Sequence, residues 1–205
     1  MRPEYAVALF ARAPEHGRVK RRLAAEIGDA AALHAYRRLL AHALDVLAGC
    51  VDCDPALWFE GDAAAFETAS GVRPPVRRRQ PVGDLGTRMH AALADMLGAH
   101  RAAILYGADA PGLGSNDVMR CARLLAAGDD AVLVPALDGG YVLIGLTAPR
   151  PALFTDMPWG TDQVADLTRA RMRAAGMRWS ELPCVRDVDC ARDLAAAGGV
   201  MPADQ

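Results

Sequence analysis

The sequence has almost no lysine: Lys20 is the only one, and arginine supplies the other strongly basic side chains. The net charge is −2, so the chain has no overall positive field to attract nucleic acid or an anionic membrane. No apolar run approaches the roughly 18 to 20 residues of a membrane-spanning helix. With 205 residues, 52% of them hydrophobic, the chain is long enough for a substantial core, and we expect a single domain over residues 1–205.

The sequence also shows no pattern typical of a signal peptide or of a linker. The first residues lead straight into a predicted strand, with no small-residue cleavage site after them, so we expect no signal peptide and a cytoplasmic location. No internal repeat, low-complexity tract or linker interrupts the pattern. Pro74 and Pro75, followed by arginines at 77–79, are typical of a solvated surface crossing rather than a domain boundary.

Several catalytic and cofactor motifs are absent. The five cysteines are odd in number and irregular in spacing, which argues against a disulfide framework. Cys50 and Cys53 form an isolated Cys-x-x-Cys at a predicted helix end, without the second pair or nearby histidines of a zinc site, so we interpret it as incidental. No Ser-His-Asp or Cys-His set indicates covalent acyl chemistry. The P-loop pattern Gly-x-x-x-x-Gly-Lys-Ser/Thr and the dinucleotide pattern Gly-x-Gly-x-x-Gly are missing as well.

Apolar runs that suit buried strands alternate with segments of helical periodicity. Residues 5–11 and 102–107 are almost continuously apolar, as in strands buried on both faces, whereas residues 28–48 repeat apolar side chains at helical spacing. This alternation predicts an α/β fold with a mainly parallel sheet. The apolar runs at 131–135 and 141–146 are separated by a short turn, which predicts a hairpin and one antiparallel element.

A basic loop is predicted at residues 11–23, directly after the first strand. Pro14 and Gly17 shape a turn with exposed backbone N–H groups. The basic side chains around it are Arg12, Arg18, Lys20, Arg21 and Arg22. Ligands of open α/β sheets bind at the carboxyl edge, where this loop lies, so it could neutralise a nucleotide di- or triphosphate. The alternative is a solvated basic turn. Lys20 favours the first interpretation, because a chain that otherwise uses arginine places its one ammonium here.

Three carboxylates are candidates for the same edge. Asp109 follows the strand at 102–107 on a tight loop, where it could bind Mg²⁺ or Mn²⁺ beside the phosphates; a turn or helix-capping aspartate is the alternative. Asp187 and Asp189 are two positions apart in an extended segment and point the same way, so they repel unless a cation lies between them. Asp189 could instead cap the last helix.

Further segments suggest substrate contacts. Asp138, in the turn between the hairpin strands, could orient or deprotonate an acceptor hydroxyl, although Asp-Gly-Gly is also a common turn. The polar, glycine-rich loop at 80–89 could line the pocket of the base or sugar. Trp159 and Thr161 could bound a second substrate.

Taken in order, these segments resemble the GT-A superfamily of nucleotide-diphospho-sugar transferases. More narrowly, they are similar to the bacterial radical-SAM/selenodomain-associated transferase 1 family, also described as arsenosugar-biosynthesis-type glycosyltransferases. The similarity rests on six blocks: Phe10–Leu23, Gly83–Met89, Gly107–Leu113, Pro135–Gly145, Trp159–Thr161 and Asp187–Leu194. Arg12 and Arg21 depart from it, since that family usually has lysine and threonine there.

The resemblance implies a three-layer, Rossmann-like α/β fold with a mixed, mainly parallel sheet of GT-A type. It also implies four groups of site residues. The nucleotide and its phosphates would contact Ala11, Arg12, Gly17, Arg18, Lys20, Arg22, Gln80, Gly83, Asp84, Gly86 and Arg88. The acceptor would contact Asp138, Gly139, Gly140, Tyr141, Trp159 and Thr161. Mg²⁺ or Mn²⁺ would bind Asp109, Asp187 and Asp189, and Lys20, Asp109 and Asp138 would serve catalysis.

The leading hypothesis is metal-dependent glycosyl transfer from a nucleotide-sugar to a small acceptor. The alternative is nucleotidyl transfer from a nucleoside triphosphate with release of pyrophosphate, as in guanylyltransferases. A third hypothesis is a non-catalytic nucleotide-binding module. The nucleobase, the sugar, the acceptor, the retaining or inverting outcome and the oligomeric state stay open at this point.

Overall fold

The computed structural model describes residues 4–70 and 76–198, so the predicted crossing at Pro74 and Pro75 lies outside the described residues. The strands are β1 (Tyr5–Arg12), β2 (Asp54–Glu60), β3 (Arg77–Arg79), β4 (Ala102–Gly107), β5 (Ala131–Pro135), β6 (Tyr141–Leu146) and β7 (Trp179–Glu181). The helices are α1 (Arg21–Ile27), α2 (Asp29–Ala48), α3 (Ala63–Ser70), α4 (Leu85–Leu97), α5 (Ser115–Ala126), α6 (Val164–Ala174) and α7 (Ala191–Ala197), and a 3-10 helix spans Pro151–Leu153.

All these strands belong to one sheet, in the order β3-β2-β1-β4-β6-β5-β7. The strand β6 is antiparallel to both of its neighbours, β4 and β5, and the other pairs are parallel. The predicted hairpin is therefore confirmed, and it supplies the one reversed strand. Because β6 runs backwards, its first residue lies at the same edge as the carboxyl ends of the parallel strands.

Helices cover both faces of the sheet, which gives three layers. On one face, Val7, Leu9 and Ile104 pack with side chains of α2 and α5. On the other face, Leu105 and Ile144 pack with side chains of α4 and α6. The central strands β1, β4 and β5 are buried on both sides, which explains their almost continuous apolar runs in the sequence. No helix within the described ranges is long and apolar enough to cross a membrane.

The basic loop after β1 is shorter than predicted. The strand continues through Ala11 and Arg12, and α1 begins at Arg21, so the prediction of a loop over residues 11–23 was wrong at both ends. Leu23 of α1 is fully buried against α2, in a small apolar cluster that also contacts α7. The arginines that precede Leu23 interrupt the apolar periodicity, so the sequence did not predict this apolar contact. Lys20, the residue before the helix, has a left-handed backbone with φ 47°.

The segment before α7 is fixed to the same edge of the sheet. The N–H of Val185 donates to the carbonyl of Pro135 at 3.0 Å, which extends the sheet beyond β5. The N–H of Val188 donates to the carbonyl of Asp109 at 3.0 Å, and the Val188 side chain is fully buried. These contacts hold the two aspartates that flank Val188 at the carboxyl edge.

Candidate functional site

A cleft of about 470 Å³ opens at the carboxyl edge of the sheet. Its walls are the ends of β1, β2 and β4, the start of β6, the first turns of α4 and the segment before α7. The predicted site residues that line it are Ala11, Arg12, Lys20, Gln80, Arg88, Asp109, Asp138, Gly140, Tyr141, Asp187 and Asp189. The sequence therefore located the cleft, although the structure changes the arrangement of several groups within it.

Lys20 is the most buried charged group at this edge. Its side chain is only 6% exposed, and its Nζ lies 2.9 Å from Oδ1 of Asp109 and 3.2 Å from Oδ1 of Asp189. Burial alone would lower the pKa of Lys20, but the charges of Asp109 and Asp189 outweigh it and raise the pKa above its usual value. The ammonium is therefore charged, and it links the segment after β4 to the segment before α7.

An acidic cluster lies beside this ammonium. Asp138, Asp187 and Asp189 each place a carboxylate oxygen within 4.8 Å of the other two. Desolvation, with the charge of Asp138 next in importance, raises the pKa of Asp187 to about 6. Three carboxylates that crowd one another in this way supply the hard oxygen ligands that Mg²⁺ and Mn²⁺ prefer.

The membership of this cluster differs from the predicted metal set. The expectation grouped Asp109 with Asp187 and Asp189, but the structure brings Asp138 to them instead. Asp109 is turned to the Lys20 ammonium, which balances its charge. Asp189 does not cap the last helix: Asp193 does, by accepting hydrogen bonds from the N–H groups of Asp189 and Cys190.

A polar network occupies the other end of the cleft, where β2 and β3 end. Glu60 accepts hydrogen bonds at Oε2 from Arg88 at 2.7 Å and from Arg12 at 3.1 Å. The Gln80 amide donates to the carbonyls of Ala11 and Trp58 and accepts from Arg88. Gln80 is thus engaged with the strand ends and with Arg88, so it positions the wall of the cleft.

Glu60 was not predicted, nor was Tyr36, whose hydroxyl exchanges hydrogen bonds with the backbone of Arg12. A signal for Glu60 was present, because it directly follows the apolar run of β2 at the ligand-binding edge. Tyr36 carried no such signal, since it matches the apolar periodicity of α2 and is buried.

The loop before α4 has a structural role of its own. Asp84 is the N-cap of α4 and accepts from the N–H of Thr87 at 2.7 Å. Gly83 has φ 140°, and a side chain at Gly86 would collide with the carbonyl of Phe154 and the indole of Trp159. None of these three residues lines the cleft, which departs from the expected phosphate contacts.

Other predicted contacts also lie outside the cleft walls. Arg18 is 74% exposed and paired with Glu15, and Arg22 is 75% exposed with its Nη1 3.2 Å from Oδ2 of Asp189. Gly17 supplies the left-handed turn of the loop with φ 71°. Gly139 packs closely against the backbone of Asp162, so it serves the turn.

The two residues expected to bound a second substrate face protein atoms. Trp159 packs edge-on against Tyr141, with ring centroids 6.2 Å apart. Thr161 donates its hydroxyl to the carbonyl of Pro158. Trp159 therefore supports the wall of the cleft through Tyr141, which does line it.

Solved structures with the same fold include three informative ones. A Desulfovibrio desulfuricans protein classed as a nucleotide-diphospho-sugar transferase is 31% identical, with a TM-score of 0.85 over 93% of this chain and 84% of that one. The CTP complex of CMP:2-keto-3-deoxy-manno-octonic acid synthetase is 10% identical, with a TM-score of 0.60 over 96% and 97%. The manganese complex of Rv0371c from Mycobacterium tuberculosis is 16% identical, with a TM-score of 0.61 over 94% and 97%. The last two similarities establish the fold alone.

Sequence comparison places the chain in a family. The family model described as an uncharacterized protein conserved in bacteria (DUF2064) matches residues 43–161. No curated protein matches the chain. The chain therefore belongs to the DUF2064 family, and it has the GT-A-like, Rossmann-like α/β fold of the nucleotide-sugar transferase structure that it matches at 31% identity.

Proposed function

We propose that this protein is a metal-dependent glycosyltransferase that takes a sugar from a nucleotide-diphosphate donor and passes it to a small acceptor. The observation that carries the proposal is the contact between a buried ammonium and an acidic cluster at the carboxyl edge. Lys20 suits the diphosphate of the donor, and Asp138, Asp187 and Asp189 suit the divalent cation that a diphosphate brings with it. The 31% identical relative is classed with the nucleotide-diphospho-sugar transferases, which supports the donor class.

The residues fit a divalent cation. Asp187 and Asp189 would hold the ion, and Asp138 lies beside them. The crowding that raises the pKa of Asp187 is the repulsion that a bound cation relieves. A bound Mg²⁺ or Mn²⁺ would stabilise the negative charge that grows on the departing diphosphate.

The cationic side chains would bind the phosphates. Lys20 and Arg12 line the cleft, while Arg18 and Arg22 stand at its outer rim, where they could meet a longer ligand. The network of Arg12, Glu60 and Arg88 would receive the nucleoside at the far end of the cleft. In the transfer, the bond from the anomeric carbon to the diphosphate breaks and a bond to the acceptor oxygen forms. Asp138, the most exposed carboxylate of the cluster, would take the hydroxyl proton.

Nucleotidyl transfer is the second candidate. It is favoured by the number of basic groups around the cleft, since a triphosphate carries more charge than a nucleotide-sugar. The fold is also that of a synthetase solved with CTP. Asp109 beside Lys20 would then face the triphosphate. The finer assignment to the radical-SAM/selenodomain-associated transferase 1 family is part of the same proposal and rests on the six sequence blocks.

Product analysis distinguishes these reactions. The protein is incubated with Mn²⁺, mixed small acceptors and a panel of nucleotide-sugars or nucleoside triphosphates, and the products are identified by mass spectrometry. Release of a nucleoside diphosphate together with a glycosylated acceptor supports the proposal. Consumption of a nucleoside triphosphate with release of pyrophosphate would contradict glycosyl transfer and support nucleotidyl transfer. Asp187→Asn should abolish turnover, while Asp95→Asn, at an exposed position on α4, is the matched control.

A further inference from the structure

The ammonium of Lys20 is already paired with carboxylates, so its role goes beyond binding the phosphates. It contacts Asp189, a member of the acidic cluster, at 3.2 Å and Asp109 at 2.9 Å. The other oxygen of Asp189, Oδ2, lies 3.2 Å from Arg22. Asp189 therefore has a positive group at each oxygen, and one of those groups is buried.

We infer that Lys20 couples nucleotide binding to metal binding: its ammonium occupies Asp189 in the ligand-free protein, and the donor phosphates release that carboxylate to a divalent cation by drawing the ammonium away. The inference rests on the proposed function, and it adds an order of events. The divalent cation binds weakly alone and tightly together with the nucleotide, because it competes with the Lys20 ammonium for the carboxylate of Asp189.

The burial of Lys20 and of Arg22 decides which side chain competes more strongly with a metal ion for Asp189. Lys20 is 6% exposed and Arg22 is 75% exposed, so water screens the pair of Lys20 with Asp189 less than the pair of Arg22 with Asp189. A cation that approaches Asp189 therefore competes mainly with Lys20. The four-carbon stem of lysine lets the ammonium move between partners without a backbone change.

The cleft gives the ammonium a second partner to move to. Lys20 and Arg12 line the same cavity, which is where the proposed function puts the donor phosphates. Such coupling is reciprocal: if the nucleotide raises the metal affinity, then the metal raises the nucleotide affinity by the same factor. A purely structural role for Lys20, as a link between two segments, predicts no gain in metal affinity when it is removed.

The test measures the binding of Mn²⁺ alone, by electron paramagnetic resonance of the free ion, to the full-length protein. Lys20→Met should bind Mn²⁺ about tenfold more tightly than the natural sequence, within the range of typical couplings. Arg22→Met, which frees the other oxygen of Asp189, should change the affinity less than threefold. Arg123→Met removes the same charge on α5, where the arginine bonds the carbonyl of Met119, and should leave the affinity unchanged.

A second measurement keeps the natural sequence intact and covers the case in which Lys20→Met does not fold. Since Lys20 is the only lysine, lysine-selective ¹⁵N labelling gives one side-chain Nζ resonance. Inorganic pyrophosphate without metal should shift this resonance, and Mg²⁺ should shift it only as the ion saturates the protein. Saturation by Mg²⁺ with an unmoved Lys20 resonance overturns the inference.

The outcomes separate the inference from the proposed function. Measurable Mn²⁺ binding that is equal in Lys20→Met and in the natural sequence overturns the coupling and leaves the metal-dependent transferase standing. If neither protein binds Mn²⁺, with or without a nucleotide-sugar, both the coupling through Lys20 and the metal-dependent reaction are contradicted. Weaker binding in a folded Lys20→Met protein assigns Lys20 to structure and contradicts the coupling.

Discussion

At the scale of single residues, we expect Asp187 to have opposite effects on stability and on metal binding. Its carboxylate is partly buried beside Asp138 and Asp189, so its charge is unfavourable until a cation neutralises it. Asp187→Asn should therefore raise the melting temperature of the metal-free protein and remove the further rise that Mn²⁺ produces. Thermal unfolding with and without Mn²⁺ checks both effects. A variant that still gains stability from Mn²⁺ would exclude Asp187 as a ligand.

Gln80 gives a second prediction at this scale. Its amide donates to the carbonyls of Ala11 and Trp58 and orients Arg88, so Gln80→Ala leaves acceptors at two strand ends without their donor. We expect a loss of about 1 to 2 kcal/mol in the free energy of unfolding. Urea denaturation measures it, and a loss below about 0.3 kcal/mol would mean that water replaces the amide at no cost.

The sequence predicted some of these residues and missed others for physical reasons. Lys20 was found because it is rare, and the aspartates because they follow apolar strands at the ligand edge. The partners of each charge could not be found, since they depend on how segments far apart in the chain pack. Asp109 and Asp189 meet at Lys20 only because the backbone of Val188 is bonded to that of Asp109.

At the scale of secondary structure, the start of α4 gives a prediction for the capping role of Asp84. Its carboxylate accepts from the N–H of Thr87, so Asp84→Ala leaves an N-terminal donor of the helix without its cap. A loss of about 1 kcal/mol in the free energy of unfolding is expected. Asp84→Ser or Asp84→Asn should restore most of it in the same denaturation experiment. If neither of them does, a cap role for Asp84 is contradicted.

The contact between α6 and β7 makes stability depend on pH. Arg169 binds both oxygens of Glu181 at 2.9 Å, and this bonding is the main cause of the lowered pKa of Glu181. A lowered pKa in the folded state stabilises the protein fully above the usual value of 4.5, and this contribution is lost as the pH falls through the lower folded value.

The expected contribution of this pair is about 1 kcal/mol. Acid titration of the unfolding free energy, compared between the natural sequence and Glu181→Gln, measures it. The two curves should differ near neutral pH and converge below pH 4.5. Curves that stay parallel throughout would show that Glu181 contributes packing rather than charge.

Helices and strands were predicted more completely than their charged contacts. The apolar runs and their alternation were sufficient for the sheet and the hairpin, because the central strands β1, β4 and β5 are buried on both faces. The short helix α1 was missed, since its first two residues are arginines and its apolar contact, through Leu23, is made with α2 and α7. The loop predicted to carry the phosphates therefore ends where a helix begins, at Arg21.

At the scale of the whole molecule, the position of β6 determines where the site forms. As a reversed strand between β4 and β5, it brings Tyr141 and the turn with Asp138 to the edge where Asp109 and the segment before α7 also lie. The order of strands could not be read from local patterns, although the resemblance implied a mixed, mainly parallel sheet. The cytoplasmic location stays a prediction from the sequence.

Binding of a metal-bound nucleotide diphosphate at this edge is the central claim, and ligand-dependent thermal unfolding tests it most directly. Nucleotide-sugars with each base are added together with Mn²⁺ to the natural sequence and to Asp187→Asn. One nucleotide-sugar at about 100 times its dissociation constant should stabilise the natural protein by roughly 2.7 kcal/mol. That gain should require Mn²⁺ and vanish in Asp187→Asn. Equal stabilisation without Mn²⁺ or in Asp187→Asn, or none with any base, would contradict the account.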